Sequence, residues 1–292
     1  MDYRRGYRYS KRMLSQEKIS GFRNLMYDHY REHSRDFPWR ETRDPYAIWV
    51  SETMLQQTQT IRVMSKYPQF MKAFPTMERL AAAPLEHVLL LWQGLGYNRR
   101  ALSLHRSAKI LCAELKGEVP NDMVLLGALP GVGPYTAAAI RTFAYGEPEV
   151  FIETNIRRVY IHHFFPDQAR VTDKELIPFI QETLNEDDPR VWYYALMDYG
   201  ADLSNSVANP NRRSAQYARQ SAFSGSDRQM RGLALKYLLH NGSATVAKFA
   251  RYAHLTPTKS QDILESLYRD GFLICEKKTY KLADGSSYSK DY

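Results

Sequence analysis

Cysteine is nearly absent. The 292 residues contain two, Cys112 and Cys275, far apart and in no C-x-x-C pair. That excludes a disulfide framework and a cysteine-built zinc or iron–sulfur site. No apolar run approaches the roughly 18 uninterrupted residues that would suggest a membrane span. The opening MDYRRGYRYSKR is basic and aromatic, with none of the apolar core of a secretory signal. The expectation is a cytosolic or nucleoid-associated chain with no membrane partner. Histidine offers no metal site either: His162 and His163 are adjacent, adjacent positions do not share a helix face, and no ligand-spaced partner follows. Internal repeats are missing.

What is present is helical periodicity and an uneven charge. The length suits two domains with a sizeable core. Apolar residues recur at three- and four-residue steps through Ile48 to Leu55, Leu80 to Leu90 and Leu102 to Leu111, with Pro and Gly between. This predicts a mainly α protein with short connections. Residues 1–202 carry 26 Lys and Arg against 25 Asp and Glu, whereas 203–292 carry 14 against 7. A positive field at the C-terminal end points to a polyanion, nucleic acid first.

Composition shifts near Ser204. Residues 204–227 are rich in Ser, Asn, Ala and Arg without a usable period, and are predicted to be a basic linker between domains at 14–203 and 228–283. Beyond it, helices are predicted over Arg228–His240, Ala244–Ala253 and Thr258–Arg269, the last with Pro257 at its start, followed by two short strands within Gly271–Leu282. Three helices closed by a hairpin is a winged-helix arrangement. Lys259 and Arg269 on its third helix and Lys277, Lys278 and Lys281 in its wing are candidate DNA contacts.

Three stretches carry candidate chemistry. In Leu129-Pro-Gly-Val-Gly-Pro-Tyr-Thr-Ala-Ala-Ala-Ile140, Gly131, Val132 and Gly133 form a tight turn whose N–H groups can grip a phosphate, ahead of a helix opened by Tyr135 and Thr136. In Trp49-Val-Ser-Glu-Thr-Met-Leu-Gln-Gln-Thr-Gln59, Glu52 is the only charge among residues 47–61, with Gln56 and Gln57 one turn on. Such a Glu is either a capping partner, with Ser51 or Asp44 as the cap, or an acid whose pKa burial raises. In Leu91-Trp-Gln-Gly-Leu-Gly-Tyr-Asn-Arg-Arg-Ala101, Trp92 reads as core. A second carboxylate, Glu153 in EVFIETNIRR, follows three apolar residues and needs a partner or a task, and Arg157 and Arg158 offer ion pairs.

Taken in order, P-W-R, D-P-Y-x-I-W-V-S-E-x-M-L-Q-Q-T-Q, F-P-T, L-W-Q-G-L-G-Y, L-P-G-V-G-x-Y-T-A-x-A-I and N-x-x-R-V, from Phe37 to Ala201, resemble the MutY-type adenine DNA glycosylases of the endonuclease III superfamily. The resemblance implies a helix-hairpin-helix glycosylase fold of two helical subdomains with a cleft. It implies double-stranded DNA carrying a mismatch or lesion as partner, with the protein a monomer. Glu52 stands where the family's acid protonates the base, and Glu153 where its carboxylate supports the sugar cation, a logic shared with glycoside hydrolysis. Gln56, Gln57 and Tyr97 match base-pocket and wedge positions. Asn155 and Arg158 match support positions, and Tyr135 stands where bifunctional relatives carry a Schiff-base lysine, so excision without strand cleavage is expected.

The sequence departs from that pattern in four places. Glu153-Thr154 replaces the family's Asp-Gly. Tyr194 occupies the position at which Gln or Glu reads adenine. No cofactor is expected: the four-cysteine cluster loop after Ala201 is replaced by the Arg-rich segment, where Arg212, Arg213 and Arg219 are candidate backbone contacts, although the resemblance allows a monovalent cation at the hairpin. The domain that recognises 8-oxoguanine is replaced by the winged-helix segment. Because the Glu52 segment matches the family so well, adenine in a mispair is still the first expected substrate. The alternatives are mismatched thymine or uracil, a damaged purine, and a non-catalytic DNA-damage-binding protein.

Overall fold

The computed structural model describes residues 14–218 and 222–283, so Arg219 lies outside the described residues. In chain order the helices are α1 (Gln16–His33), α2 (Pro45–Leu55), α3 (Thr60–Ala73), α4 (Met77–Ala82), α5 (Leu85–Trp92), α6 (Arg99–Leu115), α7 (Met123–Gly127), α8 (Pro134–Ile140), α9 (Thr154–Phe164), α10 (Asp173–Thr183), α11 (Pro189–Ser206), α12 (Asp227–Asn241), α13 (Val246–Ala253) and α14 (Pro257–Arg269). Three strands, β1 (Ser243–Ala244), β2 (Leu273–Glu276) and β3 (Thr279–Leu282), form an antiparallel sheet in the order β1-β3-β2. The mainly helical expectation holds.

Capping sets many of the helix starts. Ser15, Thr76, Asp122, Thr172, Ser226, Thr245 and Thr256 each accept a backbone N–H of the following turn. Such caps are worth about 1 kcal/mol apiece. At α2 the cap is Asp44, which accepts from the Tyr46 N–H at 3.1 Å, while Ser51 sits inside the helix and donates to the Ile48 carbonyl.

The described residues fall into two compact units. One comprises residues up to Glu52, Pro120–Ala128 and 132–218; the other comprises Thr53–Val119, Leu129–Gly131 and 222–283. The first unit is built on α1, α9 and α11, whose apolar faces enclose Phe22, Met26, Ile156, Tyr160, Trp192 and Leu196. α9 and α11 approach so closely that a Cβ on Gly200 would lie 2.5 Å from the Asn155 carbonyl oxygen. Only glycine leaves room there. The second unit packs Phe70, Leu80, Leu89, Trp92 and Leu104 of α3–α6, all buried, and Trp92 is core as its sequence suggested. It also takes in α12–α14 and the sheet, centred on Leu235, Phe249, Leu264, Leu267 and Phe272.

The linker expectation fails over 204–215. α11 continues to Ser206, Pro210–Arg213 form a 3-10 turn, and Val171 and Ser214 make a parallel bridge. Without apolar periodicity, side chain to backbone bonds hold this segment. Arg213 donates to the carbonyls of Phe165, Pro166 (2.9 Å), Gln168 (3.1 Å) and Ile161 (3.4 Å), and buried Asn211 donates to Thr154 O at 2.9 Å. Arg213 is therefore turned onto the protein, and the phosphate reading passes to exposed Arg212. Arg213→Ala is expected to cost about 2 kcal/mol or more, seen as a lowered thermal midpoint. An unchanged midpoint with weakened DNA binding would return Arg213 to the DNA contacts.

Candidate active site

α2 carries Glu52 into the first unit, where its side chain is buried. Tyr135, on the second residue of α8, donates its hydroxyl to Glu52 Oε2 at 2.9 Å. Burial pushes the Glu52 carboxyl up to about 7; the Tyr135 hydrogen bond and the Arg40 guanidinium pull the other way, and the Glu153 charge adds to the rise. A carboxyl poised there can hold a proton near neutral pH and give it up.

Glu153 is half-buried and is the N-cap of α9. Its Oε1 accepts from the Ile156 N–H at 2.7 Å and its Oε2 from Asn155 Nδ2 at 3.3 Å. Asn155 is held in turn by Arg158, which donates to Asn155 Oδ1 at 2.8 Å and to the Gly200 carbonyl. The expected pairing of Glu153 with Arg157 gives way to a bidentate Arg157–Asp173 pair. Burial raises the Glu153 pKa against the opposing pull of the Asn155 and Ile156 backbone N–H groups and the two arginines. Both carboxyls thus lie above the ordinary carboxylate range, and the charge of Glu153 is one cause of the rise at Glu52.

Tyr194 is buried and stacked on Phe143, with ring centroids 4.8 Å apart and planes at 8°. Arg40 lies over its ring at 4.4 Å and Arg190 at 5.4 Å. Arg40 is fixed by fully buried Asp198, with 2.7 Å bonds to both carboxylate oxygens. Burial alone would raise the Asp198 pKa, but Arg40 and Arg35 outweigh it and hold the group low. Arg190 donates to the carbonyls of Arg40 and Thr42, which anchors the same loop. The P-W-R string gave a signal for Arg40; nothing marked Arg190.

The side chains of Thr136 and Val132 are buried, and the Tyr135 hydroxyl is turned to Glu52, which leaves the backbone N–H groups of the hairpin as its means of meeting a phosphate. The small, apolar run of α8 packs inward, which explains the burial. Gly131 and its neighbour Pro130 belong to the second unit, where Ser107 donates to the Pro130 carbonyl at 3.0 Å. Gly131 has φ 76°, and a Cβ there would lie 2.6 Å from Ser103 Cβ. Gly133 has φ −88° and open space around it. A cavity of about 410 Å³ lies in the first unit between α7, α8 and the 149–152 segment, lined by Val124, Tyr135, Phe151, Ile152 and Asp173 among others. Neither Glu52 nor Glu153 lines it.

Gln56, Gln57 and Tyr97 lie in the second unit. Gln57 and Tyr97 both have left-handed backbones, at φ 53° and 48°, an uncommon state for such residues that marks them for attention. Arg100 holds both turns. Its guanidinium donates to the carbonyls of Thr53 (2.8 Å), Met54 (2.9 Å) and Gln56 at the end of α2, and to Leu95 O (3.2 Å) and Gly96 O (3.0 Å) before Tyr97.

A family model described as the HhH-GPD superfamily of base excision DNA repair proteins matches residues 50–184. The adenine DNA glycosylase of Mycobacterium tuberculosis (strain ATCC 25618 / H37Rv) is 34% identical over 272 residues, covering 86% of this chain and 89% of that one. The chain belongs to the HhH-GPD superfamily of base excision DNA repair proteins. It is also 35% identical to the adenine DNA glycosylase of Homo sapiens over 207 residues, which is 67% of this chain and 37% of the human protein. Among solved structures, a thermostable thymine-DNA glycosylase superposes with TM-score 0.57 at 27% identity, over 63% of this chain and 87% of that one. A trapped endonuclease III–DNA covalent intermediate gives TM-score 0.54 at 20% identity, covers 63% of this chain and 85% of its own, and shows the shared fold.

The iron–sulfur cluster that the resemblance raised does not fit this HhH-GPD chain. Cys112 and Cys275 are free and cannot supply four thiolates. Among the described residues no group of three or more His, Cys, Asp and Glu side chains could hold a metal ion.

Proposed function

We propose that this protein removes adenine from mispairs in double-stranded DNA by hydrolysing its N-glycosidic bond, without cutting the strand. The observation that carries the reading is Glu52, a buried carboxyl raised to about 7 and held by the Tyr135 hydroxyl. Glu52 protonates the extruded base as it leaves. Glu153, fixed at the head of α9, places negative charge for the cationic sugar that forms, and water completes the exchange. Tyr135 is a phenol with its pKa driven far up by burial and by the neighbouring Glu52 and Glu153, so it offers no amine to attack the sugar. The product is an abasic site in an intact strand.

A second reading is favoured by one feature. Tyr194 replaces the amide or acid that would read adenine, and a phenol cannot copy the paired donor and acceptor of an amide. Together with the likeness to a thymine-DNA glycosylase, this supports a mismatched pyrimidine as substrate. Labelled duplexes carrying A opposite 8-oxoguanine, A opposite G, T opposite G, U opposite G and hypoxanthine separate the readings. Strand breaks that appear only after alkali name the base. No break in any duplex, with tight binding retained, would mean a DNA-binding protein without chemistry.

The C-terminal helices and sheet are proposed to act as a winged helix on DNA. Lys277 and Lys278 form the exposed turn between β2 and β3 with φ 48° and 62°, a left-handed pair that Asn-Gly would adopt with less strain. Lys259 is half-buried and paired with Asp227 at 2.6 Å, which leaves the tip as the stronger candidate contact. Replacing Lys277-Lys278 by Asn-Gly should raise stability by about 1 kcal/mol. It should also weaken DNA binding and flatten its logarithmic salt dependence by about 2. Unchanged binding would remove the tip from the interface.

A further inference from the structure

Tyr97 leads out of the Gly94-Leu95-Gly96 turn with a left-handed backbone and a half-buried side chain. Its turn is held by Arg100, whose guanidinium carbon also lies 5.5 Å from the ring centroid, but its hydroxyl is bonded from elsewhere. Arg228, in the first turn of α12, donates through Nη1 to the Tyr97 hydroxyl, and its guanidinium carbon lies 5.2 Å from the ring centroid. The same guanidinium lies 5.6 Å from the ring of exposed Phe223. These partners are 131 residues apart in sequence, and Arg228 lies beyond the matched family segment, residues 50–184.

A second tie runs beside the first. Asp270, which caps the end of α14, accepts both nitrogens of Arg99 at 2.7 Å and is bonded by Arg231 of α12. Arg106 donates to the Asp270 carbonyl at 3.2 Å. The C-terminal helices therefore grip the head of α6 through Arg99 and Arg106, while Arg228 reaches over to Tyr97, two residues before α6 begins. Asp270 alone would serve to dock the module. Arg228 does something docking does not need, because it bonds the hydroxyl of the side chain in this turn that matches a wedge position of the glycosylases.

We infer that the C-terminal module braces the DNA wedge, with Arg228 as a positioning residue that holds Tyr97 ready to enter the base stack. The inference rests on the glycosylase reading for what Tyr97 does. Its physical basis is preorganisation: a ring already immobilised loses less freedom when it pushes into a duplex, so base extrusion is more favourable. A cation over the ring and a charge-assisted hydrogen bond at its hydroxyl fix two different parts of the side chain.

The test uses the full chain, as wild type, Arg228→Ala, Arg228→Lys, Tyr97→Phe and the Arg228→Ala/Tyr97→Phe double variant. Binding is measured with a duplex that has 2-aminopurine beside a mispaired adenine, whose fluorescence rises on unstacking, and excision is measured in single turnover with saturating protein. Arg228→Ala should lower both the fluorescence rise and the excision rate about tenfold, the scale of one hydrogen bond to a charged group. Tyr97→Phe should do much the same, the double variant should be no worse than either single, and Arg228→Lys should recover most of the loss. Losses that multiply in the double variant, or an Arg228→Ala variant that melts earlier yet unstacks and excises normally, overturn the brace. Wild-type unstacking without excision overturns the catalytic reading and leaves the brace to the variants. Absence of any unstacking by the wild type overturns the brace itself.

Discussion

Glu52→Gln is expected to lower single-turnover excision by roughly a thousandfold, the scale of removing a positioned general acid. The amide keeps the length of the side chain and can still accept the Tyr135 hydroxyl, so the loss reads proton transfer rather than packing. The pH dependence follows from the same group. Its pKa lies at about 7 in the folded protein. Excision that needs the protonated acid should fall as pH rises through about 7, and the variant's residual rate should lose that limb. Stability moves in the same direction. The folded state binds the Glu52 proton more tightly than the unfolded chain, so the stabilisation is complete below the ordinary carboxyl pKa and is lost as pH rises through about 7. At pH 8 Glu52→Gln should therefore be more stable than the wild type, by up to about 3 kcal/mol, and near pH 4 the two should agree. A variant that is inactive because it is unfolded would melt earlier at every pH.

This coupling explains why the chemistry was more legible in the sequence than the structure that supports it. Glu52 and Glu153 stood out because a carboxylate among apolar residues needs a reason. The start of the last helix was legible from Pro257, and the final strands from the turn before β3, because caps and turns act over a few residues. The two-residue β1 was not, since its partner β3 lies far along the chain. The arginines were the least legible of all. Counting charge makes each one a phosphate contact, yet Arg100 and Arg213 each turn onto four or more backbone acceptors, and Arg40 onto Asp198. Such a guanidinium satisfies irregular backbone that no helix or sheet can, and the carbonyls it serves lie too far off in sequence to be paired by inspection. The bond from Tyr135 to Glu52, across 83 residues, was hidden for the same reason. It turns a position read as a missing lysine into part of the acid's setting.

Glu153 needs a different kind of test, because its presence already has a structural explanation. An N-cap is worth about 1 kcal/mol, and Asp, Ser and Thr also serve. Loss of activity in Glu153→Ala would therefore mix a weakened α9 with a missing charge. Glu153→Ser keeps a cap oxygen for the Ile156 N–H and removes only the charge and its reach. It should melt within a few degrees of the wild type while excision falls about a hundredfold or more, the scale of deleting one electrostatic stabiliser of a transition state. Glu153→Asp keeps both cap and charge with one methylene fewer. The N-terminal end of α9 is already fixed for it, since Asn155, Arg158 and Gly200 hold the first turn and it does not rest on the carboxyl alone. It should stay within about tenfold of the wild type, as a shift near 1 Å moves the charge without deleting it. Wild-type excision by Glu153→Ser would reduce Glu153 to a cap and leave Glu52 as the sole carboxyl in the chemistry.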